Sequence, residues 1–300
     1  MLGADLPVNG WRSLVLLLTV ATALITRLLV PVLARMLERG GLMAGNFQGR
    51  TLPTAMGIGI VVPLLFALGT GTWVGVVDAV IGLSLLFSLS TLAFLGFVDD
   101  TCGDHTYRGW GGHWRALRAE SLLTTGLLKA AGGGFVALVA AVAGISGGRP
   151  VGPALVPAVV TALFLALATN SLNLFDIRPG RAIKAFVAVT LVPLAALAFA
   201  SRHPSVGSQV GAVLLWAMAA VMTYAPWDFQ ARVMMGDTGA NPLGFLLGVG
   251  WVALLPFWAE VAGVVALLWF QRFAGRASLS ELILRHAWLA RLDGWGRPPG

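Results

Sequence analysis

Apolar residues run through this chain in long blocks, and the polar residues gather in a few short segments between them. A helix needs about 20 apolar residues to cross a bilayer core, fewer where it packs against protein. On that rule the sequence predicts about nine spanning helices. Three come first, near Ser13–Met36, Thr54–Leu68 and Trp73–Val98. Four follow, near Leu122–Gly144, Pro153–Leu174, Ala182–Ala200 and Gln209–Tyr224. The last block, Pro242 to Phe273, is too long for one helix. Pro256 divides it in two, because a proline inside a helix lacks the N–H and clashes with the preceding turn. Beyond Phe273, Leu282, Ile283, Leu284, Trp288, Leu289 and Leu292 recur at helical spacing among Glu281, Arg285, His286 and Arg291. That stretch, 278–300, reads as an amphipathic helix lying on a membrane surface. The fold class expected is all-α: a polytopic integral membrane helical bundle, one domain over residues 1–300, with 277–300 as a cytoplasmic surface tail.

Composition agrees with the pattern. The chain is 57% hydrophobic and 11% charged, where a soluble domain carries about a quarter charged residues. Lipid must therefore be its solvent. The net charge of +7 would suit nucleic acid, but its distribution argues against that partner. Of the 20 Lys and Arg, only Arg12, Arg149 and Arg202 fall in one set of inter-helix loops, and Arg27 and Lys129 lie within spans. The others crowd the opposite set, which the positive-inside rule makes cytoplasmic, with the N-terminus outside. Arg27 reads as snorkelling toward the cytoplasmic end of its helix. The single cysteine, Cys102, excludes an intrachain disulfide and a multi-cysteine metal site. The first apolar run, Leu14 to Leu33, has spanning length and no clear cleavage site after it, so it reads as a helix rather than a leader.

Three polar clusters interrupt the apolar blocks, all on the face expected to be cytoplasmic. Gly96-Phe97-Val98-Asp99-Asp100 ends the third span. Adjacent carboxylates repel unless a cation or proton shares them. Asn170-Ser171-Leu172-Asn173-Leu174-Phe175-Asp176 puts two amides three residues apart, on one helical face. Met235-Gly236-Asp237-Thr238-Gly239 opens the next span, and a helix N-terminus is a place that also suits phosphate. Each has a bland reading as well: a solvated helix end, interhelical hydrogen bonding, or a plain turn. Together, at one depth on one face, they point to a site, because polar groups near hydrocarbon are costly. Asp and Asn oxygens suit a hard cation such as magnesium. Arg108, His113, Arg115, Arg178, Arg181 and Lys184 surround them with cationic donors. Carboxylate-held magnesium flanked by Arg and Lys is apparatus for clamping a diphosphate and stabilising phosphoryl transfer.

In this order, Gly-Phe-Val-Asp-Asp, Asn-x-x-Asn-Leu-x-Asp and Gly-Asp-Thr-Gly resemble the polyprenyl-phosphate N-acetylhexosamine-1-phosphate transferases. Asn46-Phe47-Gln48-Gly49-Arg50, with Pro53-Thr54 and Met56-Gly57, is similar to that family's first cytoplasmic loop. The resemblance covers roughly Asn46 to Gly248. It implies transfer of a sugar 1-phosphate from a UDP-activated amino sugar to a polyprenyl phosphate such as undecaprenyl phosphate, releasing UMP. It implies magnesium, with manganese as an alternative, on Asp237 and Asn173. Asp99 would deprotonate or position the lipid phosphate, and Asp100 would support the metal or the neighbouring cations. Arg108 would meet the diphosphate, joined by Arg50, His113 and Lys184, while Asn170 and Asp176 would shape the nucleotide side. The implied setting is the inner membrane of a bacterial cell, and by analogy with homologous folds a homodimer.

Two departures bear on the donor. The family's second motif commonly continues Asp-Gly-x-Asp-Gly, whereas this chain reads Asp176-Ile177-Arg178-Pro179-Gly180-Arg181. Pro179 takes the place of the second aspartate, leaving Arg178 and Arg181 as candidate phosphate contacts. The family's histidine-rich loop is absent, with His286 alone in that region, which argues against a phospho-N-acetylmuramoyl-pentapeptide transferase. A transporter or lipid-binding protein would place ionisable residues near the midplane of related halves, and the sequence shows neither. A catalytically impaired family member is the remaining alternative.

Overall fold

The computed structural model describes residues 8–46, 48–103, 118, 124–144, 155–199, 205–276 and 278–297. Arg108, His113 and Arg115 lie outside the described residues. Among those described, nine long helices occupy the nine predicted spans. They are α1 (Val8–Arg39), α2 (Ile58–Trp73), α3 (Ala79–Cys102), α4 (Thr125–Val142), α5 (Leu155–Asn173), α6 (Arg181–Phe199), α7 (Val206–Phe229), α8 (Asp237–Val252) and α9 (Phe257–Ala274). Two short helices follow, α10 (Leu279–Arg285) and α11 (Ala287–Gly294). A small antiparallel hairpin, β1 (Met43–Gly45) and β2 (Thr51–Pro53), lies between α1 and α2 with Ala44 opposite Leu52.

Six of these helices, α1, α3, α4, α5, α7 and α9, are long and apolar enough to cross a membrane. α2 and α8 are shorter, with 16 residues each. α8 is buried almost all round, from Thr238 to Phe245 without a break, so neighbouring helices rather than lipid are its solvent. It packs most extensively against α5 and α3. Close approach to α5 needs Gly244, where a Cβ would sit 2.7 Å from the carbonyl oxygen of Thr169; small residues at such crossings let membrane helices touch backbone to backbone. On the other side of the bundle α1 packs on α2 and α7, and the buried Trp216 donates its indole N–H to Val15 O at 3.1 Å. α9 leans on α5 and leaves Trp258, Val265 and Trp269 exposed, an apolar face of the kind lipid covers.

Several boundaries move. Trp73 ends α2, and α3 begins at Ala79 because Asp78 caps it, accepting the Val80 N–H at 2.9 Å. α3 then runs on to Cys102, which puts Asp99 and Asp100 inside its last turn. Pro256 does divide the final block, standing as the N-cap of α9. Arg27 sits 5.2 Å over the Trp227 ring, near the C-terminal end of α7. The tail is not one surface helix. It breaks at His286 into α10 and α11, and Asp293 ties it to Arg181 at the start of α6.

Candidate active site

The C-terminal ends of α3, α5 and α7 meet the N-terminal ends of α4, α6 and α8 on one face of the bundle. Consecutive residues on a helix point about 100° apart, so Asp99 and Asp100 serve different neighbours. Asp99 faces α4 and Asp100 faces the turn that opens α8. That turn lies directly on α3: a Cβ at Gly96 would stand 2.4 Å from the carbonyl oxygen of Asp237. Gly236 has φ +69, and a Cβ there would collide with the Asp100 carboxylate. The glycines of the first and third motifs are thus the two sides of one contact.

Asp100 caps α8 from outside its own helix. It accepts the Asp237 N–H at 2.9 Å, the Thr238 N–H at 3.0 Å and the Thr238 hydroxyl at 2.6 Å. The N–H of Gly236 donates to Asp176, and those of Gly239 and Ala240 go to Gly236 O. The helix N-terminus therefore has its amides taken by protein, which corrects the expectation that it would receive a phosphate. Asp176 is held well above the usual carboxylate range, first by burial and then by the charges on Asp228, Asp237 and Asp100. A third support comes from the first loop. Met234 N–H donates to Pro53 O, Met56 N–H to Met234 O and Gly57 N–H to Met235 O. The Pro53–Gly57 segment is a strap under the α8 turn, and Arg50 is exposed on the hairpin above it, its N–H donating to the Asn46 side chain.

The centre of the site is a residue that the sequence reading left without a role. Lys129, on the first turns of α4, places its ammonium between two carboxylates, 2.9 Å from Asp99 Oδ2 and in direct contact with Asp237 Oδ2. The Thr125 hydroxyl bonds Asp99, and Asn241 reaches Asp237 from one turn further along α8. These side chains keep about a fifth of their surface open, 24% for Lys129, 21% for Asp99 and 17% for Asp237. Two acids with one lysine, each partly open, leave negative charge on offer to a further cation or a cation-bearing ligand.

Other predicted residues are placed elsewhere. Asn170 turns to α9, where its amide donates to Gln271 Oε1 at 3.0 Å, the interhelical arrangement that was its bland reading. Asn173 ends α5, with its carbonyl accepting the Asp176 N–H. Arg178 is half-buried in the loop after it. Arg181 does not face the carboxylates: its guanidinium grips Asp293 through Nε at 2.9 Å and Nη2 at 2.8 Å, and Ser280 through Nη1. Lys184 donates to the carbonyls of Leu292 and Asp293 at 2.9 and 2.7 Å. Both cations, expected on substrate, hold the tail instead. Asp293 in turn is held down to about 2: burial opposes this, but hydrogen bonds and charge from Arg181 and Arg297 prevail.

Two residues besides Lys129 escaped the sequence reading. Asp228, nearly fully buried, accepts the Gly180 N–H at 2.6 Å and so anchors the loop that bears Asp176. Its signal was weak, an acid inside an apolar run. Arg297 donates Nε–H to Pro179 O at 2.7 Å, a contact no local pattern announces. Lys129 had the clearest signal, since an ionisable residue within a predicted span is a functional candidate by default.

A family model described as glycosyl transferase family 4 matches residues 81–255. No curated protein matches the chain. The matched stretch runs from α3 to the turn before α9 and holds Asp99, Asp100, Lys129, Asp176 and Asp237. With more than half its length matched and its polar residues converging at the ends of apolar helices, this membrane protein belongs to glycosyl transferase family 4, a membership that supports sugar-phosphate transfer to a polyprenyl phosphate at the level of the family.

Proposed function

We propose that the chain transfers a sugar 1-phosphate, of the N-acetylhexosamine class, from a UDP-sugar to undecaprenyl or a similar polyprenyl phosphate, releasing UMP. The carrying observation is the Asp99–Lys129–Asp237 cluster at the mouth of an apolar bundle. A lipid acceptor brings its phosphate to that depth, and a soluble nucleotide sugar reaches it from the aqueous side. The setting proposed is the cytoplasmic face of a bacterial inner membrane, a reading supported by the crowding of basic residues in the loops at this end of the bundle.

The chemistry is a phosphoryl substitution. A non-bridging oxygen of the lipid phosphate forms a bond to the sugar-bearing phosphorus. The bond from that phosphorus to the bridging oxygen breaks, and UMP leaves with the electron pair. A phosphate monoester has its second pKa near about 6, so the acceptor is already largely dianionic at neutral pH. Asp99 then has more to do in positioning than in proton removal. Lys129 supplies the positive charge that lets a dianion sit beside two carboxylates, and that stabilises charge moving onto the leaving phosphate. Asp100 and Asp176 keep the α8 turn, and with it Asp237, in place.

Magnesium fits these residues, with manganese as its substitute. Among the described residues no group of three or more His, Cys, Asp or Glu forms a metal cage. Magnesium asks for none, being commonly held by one or two carboxylates with waters and substrate phosphates around it. Asp237 and Asp99 would hold it, with Asn173 the next oxygen donor along the α5 end. Bound there, the ion supplies charge neutralisation to the diphosphate oxygens.

The deciding experiment incubates the purified protein with undecaprenyl phosphate, magnesium and a panel of UDP-amino sugars. UMP release is expected with at least one donor and is expected to stop on chelation. Silence with every donor would sink the transferase assignment.

A further inference from the structure

The loop between α5 and α6 is attached at both ends, and the second attachment has no counterpart in the three motifs. At the site end, Asp176 receives the Gly236 N–H of the turn that presents Asp237. At the far end Pro179 O accepts Arg297 Nε–H at 2.7 Å. The remaining guanidinium nitrogens of Arg297 bind Asp293 at 3.1 and 3.0 Å, and Asp293 is the carboxylate that also grips Arg181. One acid thus fastens the tail to the first residue of α6 and to the arginine that holds the loop.

We infer that this clasp, Asp293 with Arg297, is a positioning element for the donor side of the site proposed above, and the inference rests on that reading. Where the resembled family commonly carries a second aspartate, this chain has Pro179, which lacks an N–H and a carboxylate but keeps its carbonyl. Arg297 uses that carbonyl to fix the loop from the tail. Fixing Pro179 and Arg181 leaves the short stretch between them and Asp176 little freedom. The Asp176 carboxyl is thereby set against Gly236, next to Asp237 of the proposed site. Neither Asp293 nor Arg297 touches the reacting groups, so their action is on binding geometry and not on bond making.

The test uses the full chain in lipid nanodiscs and the substitution Arg297→Ala, which leaves the Arg181–Asp293 pair intact; Asp293→Asn is the second variant. Two quantities are read: hydrogen exchange of the backbone amides in residues 174–181, and the KM for the UDP-sugar beside that for the lipid. Arg297→Ala is expected to speed exchange across the loop. Its donor KM should rise about tenfold, the worth of one lost charge-assisted hydrogen bond, with lipid KM and kcat within about threefold of wild type. Arg297→Lys should recover part of the donor affinity, since its ammonium still reaches a carbonyl. Unchanged loop exchange, or faster exchange with an unchanged donor KM, would overturn the clasp. A wild-type protein inactive with every donor would overturn the proposed function and the donor role together, whereas an active wild type with an indifferent Arg297→Ala variant would overturn the clasp alone.

Discussion

Two charge clusters on the same face of the bundle are near mirror images. In one, a single ammonium, Lys129, lies between the carboxylates of Asp99 and Asp237. In the other, a single carboxylate, Asp293, lies between the guanidiniums of Arg181 and Arg297. The second is closed: Arg181 keeps 5% of its side chain exposed and Asp293 10%, and both oxygens of Asp293 receive two guanidinium hydrogen bonds each. Planar forks that match a carboxylate leave nothing over for a ligand. The first cluster is built around a point charge, is more open, and retains an excess of negative charge. Saturated geometry holds the tail in place, while incomplete neutralisation keeps the other site receptive. The low value of Asp293, about 2 against an ordinary 3.8, has a definite sign. A depressed carboxylate stabilises the folded state above its unfolded-state value and loses that contribution as pH falls through the folded one. The Asp293 contribution to tail docking is therefore constant across the neutral range and is lost as pH drops from about 4 toward 2.

The largest effect should come from the open cluster. Asp237→Ala is expected to lower UMP release by about 10²–10³, the scale for removing a group that stabilises developing charge. Its melting temperature should change little, because Lys129 retains Asp99 as partner. The comparison breaks if the variant melts much lower yet turns over near the wild-type rate, for the open cluster would then be a structural ion pair like the closed one.

Asp100→Ala should fall between the clusters in character. The acid is as saturated as Asp293, yet its partners are the amides and hydroxyl of the turn that carries Asp237. Leaving those donors unpaired in a half-buried place costs about 1–3 kcal/mol each at most. A lower melting point is expected together with a partial loss of turnover, read by thermal unfolding and UMP release on the same preparation. Full activity with an unchanged melting point would show that Asp100 neither holds nor serves the turn.

Much of this was legible along the chain because apolar blocks of spanning length are a strong signal. All nine helices and the division at Pro256 follow from it. The gathering of Asp99, Asp100, Asp176 and Asp237 was legible too, since helix ends on one face must come together in a bundle. The partners of each charge were not. Arg181 and Lys184 stand near the motifs in sequence, and proximity suggests substrate; their hydrogen-bond partners lie 99 to 112 residues away in the tail. Lys129 was visible as a charge in an apolar run, but only the packing of α4 on α3 shows which acids it serves. Sequence spacing reports which face a side chain takes, and tertiary packing decides what meets it there.

The smallest effect should be at Asn170, where a motif residue does the work of neither cluster. Its amide donates to Gln271 Oε1, and Gln271 Nε2 goes on to Leu167 O at 2.8 Å and Ser171 Oγ at 3.2 Å. This is a polar stitch between α5 and α9, which also meet through the buried Thr161 hydroxyl donating to Glu260 Oε2 at 2.7 Å. Interhelical hydrogen bonds in membranes average about 0.6 kcal/mol, since an unpaired amide there finds other partners. Asn170→Ala should lower the melting point slightly and leave the donor KM within about twofold of wild type, a change of about 0.4 kcal/mol. A tenfold rise in donor KM would put Asn170 back on the nucleotide, where the motif suggested it, and would mean that its amide leaves Gln271 when substrate binds.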